Sequence, residues 1–137
     1  MTSAYELVPH ATDGKIKATG TTRAGLMIGA LRGMFAVAVA QWVEDAPEVE
    51  RSFDLGGADF ETLLAGLLNA ALASAAANGE GYEDIRFNLI TDKKAEGAFV
   101  GKKVSGFSKK LMAAAKHDLM VAKNEAGVWE ATITFDS

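Results

Sequence analysis

Apolar and polar residues alternate along some stretches of the chain and recur at helical spacing along others. The segment 15–19 alternates strictly, which predicts a half-buried strand. Thr21 or Thr22 can cap a helix over about 23–43, and Pro47 follows the end of that helix. The apolar face of the helix is formed by Met27, Leu31, Phe35, Ala38 and Trp42. A strand and a long core helix are therefore expected first.

The rest of the chain repeats this order once and then contains only extended segments. Residues 49–55 alternate as another strand, which a diglycine ends. Asp59 is the predicted N-cap of a helix over about 60–78, and Gly79 is its predicted stop. Further strands are expected from Tyr82 onward and over 95–104, 111–123 and 128–136.

This order of elements predicts a two-layer α+β domain, in which a mixed or antiparallel sheet carries two helices packed on one face. The 137 residues fall within the size of one domain, and no internal repeat or linker divides them. We therefore expect a single domain over 1–137.

The amino-acid composition indicates where in the cell the protein is expected. The chain has no cysteine, which excludes a disulfide framework and thiolate metal sites and suits the cytoplasm. Residues 1–8 lack the features of a signal peptide. Arg32 and Gln41 interrupt the longest apolar stretch, 25–43, so we interpret it as a core helix and expect a soluble protein without membrane association.

The charge is unevenly distributed. A formal net charge of -4 argues against generic nucleic-acid binding, including DNA binding. The segment 93–116 nevertheless contains many lysines and a single acidic residue, Glu96. The lysines of this lysine-rich segment are Lys93, Lys94, Lys102, Lys103, Lys109, Lys110 and Lys116. These lysines could steer an acidic partner or RNA, or could simply be solvated strand edges.

Three carboxyl groups are candidate metal ligands. They belong to Asp13 in a polar turn, to Asp136 at the end of the last strand, and to the terminal residue Ser137. Oxygen ligands of this kind suit a hard cation such as magnesium, manganese or calcium. Asp13 is equally compatible with an ordinary turn, and Asp136 with a solvated chain end.

Histidine chemistry is limited to His10 and His117, whose separation does not fit a local zinc motif. Alternation over 111–121 predicts that His117 shares a face with apolar residues, so it is either a structural histidine or a functional one. His10 could orient a ligand carboxylate. No nucleophile motif or phosphate-binding loop accompanies them.

Residues 5–20 resemble the start of the archease family, whose pattern is Tyr-Glu-x-x-Asp-His-Thr-Ala-Asp-Ile-Gly followed by a short strand and a glycine. The residues in step are His10, Asp13, Ile16, Ala18 and Gly20. Residues 60–64, 113–121 and 128–137 resemble later parts of the family, including its histidine-bearing strand and its terminal aspartate. The resemblance covers nearly the whole chain.

The resemblance implies a non-catalytic cytoplasmic protein that binds a divalent cation through Asp13, Asp136 and the Ser137 carboxylate. In the family this site serves a tRNA-splicing RNA ligase by promoting its guanylation and turnover. The implied partner is thus an RNA ligase, with RNA contacted only indirectly. Lys110 and Lys116 are candidate partner contacts.

The sequence departs from the family pattern at several positions. Pro9 replaces the first aspartate of the family pattern, and Ala115 replaces a threonine. Met112 replaces a functional lysine of the family, and Lys110 could take over the role of that lysine. Two alternatives therefore stay open. One is a binding or chaperone-like module that needs no metal, and the other is an enzyme that uses His10, Asp13 or His117 as acid and base.

Overall fold

The computed structural model describes residues 3–8, 14–109, 111 and 113–136, and describes residues 115–118 through their backbone alone. Eight strands and two helices lie within these residues. In chain order they are β1 (Ser3–Leu7), β2 (Lys15–Gly20), α1 (Arg23–Val37), β3 (Ala40–Trp42), β4 (Val49–Gly56), α2 (Phe60–Asn78), β5 (Glu80–Ile90), β6 (Lys94–Phe107), β7 (Ala113–Lys123) and β8 (Trp129–Asp136).

Local capping chemistry starts both helices where the sequence predicted. The Thr22 side chain accepts a hydrogen bond of 3.0 Å from Gly25 N at the start of α1. The Asp59 carboxylate accepts one of 2.8 Å from Thr62 N at the start of α2. Gly79 ends α2 in the left-handed conformation, with φ of 67°, which satisfies a terminal carbonyl at no steric cost.

Helix α1 is shorter than predicted, and the interpretation of residues 38–43 as helix is wrong. Val39 has a φ of 52°, which stops the helix, and β3 follows directly. Strand β3 pairs with β6, placing Ala40 opposite Phe107. Pairing with a distant strand therefore overrides the helical spacing that Ala38 and Trp42 display.

Val39 is a stabilisation target, because a β-branched residue is strained at positive φ. Its side chain is 51% exposed, so little packing is lost when it is removed. We expect Val39→Gly to raise the free energy of unfolding by about 0.5–1 kcal/mol. Urea denaturation measures this change. Val37→Gly, at the last residue of α1, is the control at negative φ and is expected to destabilise the protein. A loss of stability at both positions would contradict the strain at Val39.

The strands form two four-stranded sheets in which every pairing is antiparallel. The first has the order β1-β2-β8-β7, and in the second β6 pairs with β3, β4 and β5. The predicted α+β class is confirmed, but the strands divide between two sheets instead of forming one. Helix α1 packs against β2 and β5, and α2 against β7 and β4, so each helix contacts both sheets.

The core lies where the helices meet the sheets. Its largest fully buried side chains are Tyr82, Phe99, Phe135, Ile16, Leu26, Met27, Leu31, Met34, Leu63, Leu64, Leu67 and Leu68. By length and composition alone, α2 is apolar enough to cross a membrane. Core helices pass the same test, and four leucines of α2 are buried here against strands.

Candidate functional site

The end of β8 and the start of β2 lie side by side at one end of the first sheet. The sequence places two predicted metal ligands, Asp13 and Asp136, at this end. Asp136 is the last residue of β8, where it is exposed and lies opposite Ala113 of β7. Phe135 N donates a hydrogen bond of 2.8 Å to Gly14 O. The residue before Asp136 is thereby joined to the residue after Asp13.

Gly14 lies tightly against the end of α1. A Cβ at this position would overlap Cγ1 of Val37, so only glycine fits without a shift of that side chain. The same Cβ position is 3.6 Å from Lys109 Nζ. Lys109 is held nearby because its backbone N donates a hydrogen bond of 3.0 Å to Ala38 O. An ammonium group therefore accompanies the segment that follows Asp13.

Strand β7 carries His117 and Lys116 in an irregular stretch. Ala115 lies opposite Thr134, yet Met120 lies opposite Thr132, so β7 contains extra residues between these pairs. The uniform alternation predicted over 111–121 is therefore wrong. Among the residues of this stretch whose burial the structure describes, Leu111, Ala114 and Leu119 are buried, and they do not share one phase.

Helix α2 fixes the beginning of this irregular strand. Asn69 Oδ1 accepts a hydrogen bond of 2.8 Å from Ala114 N. This strand amide next to the bulge thus finds its acceptor on the side chain of a helix residue. The backbone carrying Lys116 and His117 is anchored from α2.

Most of the predicted site residues lie outside the described part of the chain. This applies to Asp13, Ser137, His10 and Lys110, and to the side chains of His117 and Lys116. Among the described residues, no group of three or more His, Cys, Asp or Glu is arranged to hold a metal ion. Asp136 is the predicted ligand whose position is known, and the cation site itself stays a prediction.

Several members of the lysine-rich segment have local partners. Lys94 Nζ lies 3.1 Å from Glu96 Oε1, and this contact raises the pKa of the lysine. Lys102 Nζ donates a hydrogen bond of 3.3 Å to Glu44 O. These contacts favour the interpretation of solvated strand edges for this half of the segment, and they leave Lys109 as the lysine beside Gly14.

A buried polar cluster that sequence analysis missed lies away from this end of the first sheet. Glu80, only 4% exposed, accepts hydrogen bonds from Arg51 Nε at 2.8 Å and Arg51 Nη2 at 2.7 Å. Tyr82 OH donates to Glu80 over 3.0 Å and lies 2.8 Å from Ser74 Oγ. The available signal was Arg51, a charge in the apolar phase of an alternating strand. The cluster ties α2 to the second sheet.

Comparison with known proteins supports one family. Residues 5–136 match the model of the archease protein family. An archease from Thermotoga maritima, described as a possible chaperone, is similar in structure with a TM-score of 0.68 at 15% identity over 96% of each chain. Protein 1598 of Methanobacterium thermoautotrophicum gives a TM-score of 0.70 at 17% identity over 98% of this chain and 99% of its own. No curated protein matches significantly. The chain belongs to the archease family.

Proposed function

We propose that this protein is a non-catalytic accessory protein that binds a divalent cation and activates an RNA ligase. The observation that carries the proposal is the hydrogen bond from Phe135 N to Gly14 O, because it joins the two segments that bear Asp136 and Asp13. The family match over residues 5–136 supports the same role.

The donor set suits a hard cation. Asp136 supplies an exposed carboxylate, and Asp13 with the Ser137 carboxylate would complete an all-oxygen set of ligands. A bound cation would supply a positive charge for acidic groups of the partner. Lys109 adds an ammonium group near Gly14, so the same end of the sheet can bind anionic groups without the cation as well.

Calorimetric titration with magnesium, manganese and calcium tests the cation site. We expect Asp136→Asn and Asp13→Ala each to weaken binding by about tenfold or more, since loss of even an indirect partner of a metal costs about 10–100-fold. The C-terminus is left untagged so that Ser137 keeps its carboxylate. Asp45→Asn, which changes an exposed aspartate in a turn, is the matched control. Equal titrations of all four proteins would refute the site.

A ligase assay then tests the activating role. The RNA ligase from the same cell is incubated with its guanine nucleotide, and its guanylation is followed with and without this protein. We expect stimulation by the wild type and by Asp45→Asn, and none by Asp136→Asn. Stimulation that survives both ligand substitutions would separate activation from the cation.

A chaperone-like binding module is the second candidate. The Thermotoga maritima relative is described as a possible chaperone. On this reading, stability and partner binding are the same in the presence of a chelator. Thermal unfolding and ligase pull-down with and without the chelator distinguish the two candidates.

A further inference from the structure

Strand β1 has an open edge. It pairs with β2, and no other strand pairs with it among the residues that the structure describes. Val8 N donates a hydrogen bond of 2.9 Å to Lys15 O, which sets the phase of the ladder. The even-numbered residues of β1 therefore direct their backbone groups toward β2. Those that direct them outward are Ser3, Tyr5 and Leu7.

The same strand presents apolar side chains that lack full cover. Tyr5 lies opposite Ala18 and Leu7 opposite Ile16, and both partners on β2 are fully buried. Paired residues share a face, so Tyr5 and Leu7 point to the core side of the sheet. They are nevertheless 41% and 54% exposed. The core therefore covers the apolar side chains of β1 only in part.

A cavity of about 380 Å³ lies next to β1, with Tyr5 in its lining. Its apolar lining includes Phe35, Val39, Trp42 and Tyr82. Arg32 crosses it, donating from Nη1 to Ser3 Oγ over 3.1 Å and from Nε to the Glu83 carbonyl over 2.7 Å. Tyr5 of β1 and Glu83 of β5 both line this cavity, so it adjoins the unpaired side of β1.

We propose that the additional strand is β1 of a second copy of this chain, paired antiparallel about a two-fold axis at Tyr5. In this register Tyr5 lies opposite Tyr5 of the second copy, and Ser3 lies opposite Leu7. Every outward-facing backbone group of the strand then meets a complementary group. Leu7 of the second copy arrives beside Ser3 and Arg32, at the mouth of the apolar cavity.

The sequence of β1 is self-complementary in this register. Its single charge, Glu6, lies opposite Ala4 of the second copy, so no like charges face one another. The strand has none of the lysine, proline or bulge that commonly blocks pairing at a sheet edge. A two-fold pairing of identical strands also closes on itself, because each β1 edge is used by the other.

Disulfide cross-linking tests the register, because the chain has no cysteine. Ala4 and Glu6 of the second copy would form a non-hydrogen-bonded pair, with Cα atoms about 4.5 Å apart, which a disulfide can bridge. We expect an oxidised mixture of Ala4→Cys and Glu6→Cys proteins to form a covalent dimer. Either protein alone should cross-link no more than Asp45→Cys, a control in an exposed turn.

Analytical ultracentrifugation tests the dimer without oxidation. The wild type is expected at twice the monomer mass of 14.4 kDa. Tyr5→Asp places two carboxylates together at the axis and should yield a monomer, whereas Glu6→Gln should remain dimeric. Circular dichroism checks that both variants fold. A monomeric wild type at every concentration, with cross-linking of the mixture at the control level, would overturn the proposal and leave the edge to an extended segment of another protein.

Discussion

Replacing Gly29 by alanine is expected to lower the free energy of unfolding by roughly 2 kcal/mol, although the substitution improves helix propensity. A Cβ at Gly29 would lie 2.5 Å from Ala4 O and 3.1 Å from Thr19 O. Both are backbone atoms of paired strands, so no side chain can rotate to make room. The helix or the β1–β2 ladder must shift instead.

The matched control is Gly66→Ala in the other helix. Gly66 is exposed, and a Cβ there meets nothing within 4 Å. Alanine should therefore stabilise the protein by about 0.5–1 kcal/mol, the intrinsic advantage of alanine over glycine inside a helix. Urea denaturation of both variants gives the two changes. Equal stabilisation at both positions would show that α1 does not approach the sheet as closely as described.

Replacing Glu80 by glutamine is expected to cost about 2 kcal/mol, close to the value of hydrogen bonds to charged groups. The substitution keeps the shape of the side chain but removes its charge. One of its terminal atoms becomes an amide nitrogen that faces the donors of Arg51, with which Glu80 forms a pair at 2.7 Å and 2.8 Å. Burial of Glu80 keeps water from compensating.

The loss of folding stability caused by Glu80→Gln should also depend on pH. The hydrogen bonds from Arg51 hold the pKa of Glu80 below its ordinary value of 4.5. A depressed carboxyl pKa stabilises the folded state above the ordinary value, and this contribution is lost as the pH falls through the folded value. The wild type and Glu80→Gln should therefore differ most above about pH 5 and converge in more acidic solution.

Urea denaturation of both proteins from neutral to acidic pH measures this convergence. Glu125→Gln, in an exposed turn, is the control and should follow the wild type throughout. A difference between wild type and Glu80→Gln that is constant down to the acid limit would mean that folding does not lower the pKa of Glu80. Tyr82 stays protonated over this range, because its ordinary pKa of 10.0 lies well above it and burial raises that pKa further.

The starts of both helices could be predicted from the sequence because capping is local. Thr22 and Asp59 each bond an amide only three residues away, and Gly79 supplies its own backbone freedom. The end of α1 could not be predicted in this way. It depends on β3 pairing with β6, whose partner residues lie more than sixty positions further along the chain.

The candidate site shows the same division. The sequence identifies carboxylates at Asp13 and Asp136, but their separation along the chain says nothing about distance. The antiparallel register that places Lys15 opposite Thr134 brings Gly14 to Phe135, next to these two positions. For the cluster of Glu80 and Arg51 the sequence shows only a charge in the apolar phase of a strand, and its partner cannot be identified, because an ion pair between strands has no fixed spacing along the chain.

By itself, the sequence determined the residue types, the helix caps, most strand segments, the α+β class and the resemblance to the archease family. Each of these follows from neighbours along the chain or from residues in a matching order. The tertiary structure alone decided that the strands divide into two sheets, that β7 leaves its alternation near His117, and that β1, within the part of the chain that the structure describes, pairs on one side only. These features arise from hydrogen bonds and contacts between residues far apart in the chain, which periodicity does not encode.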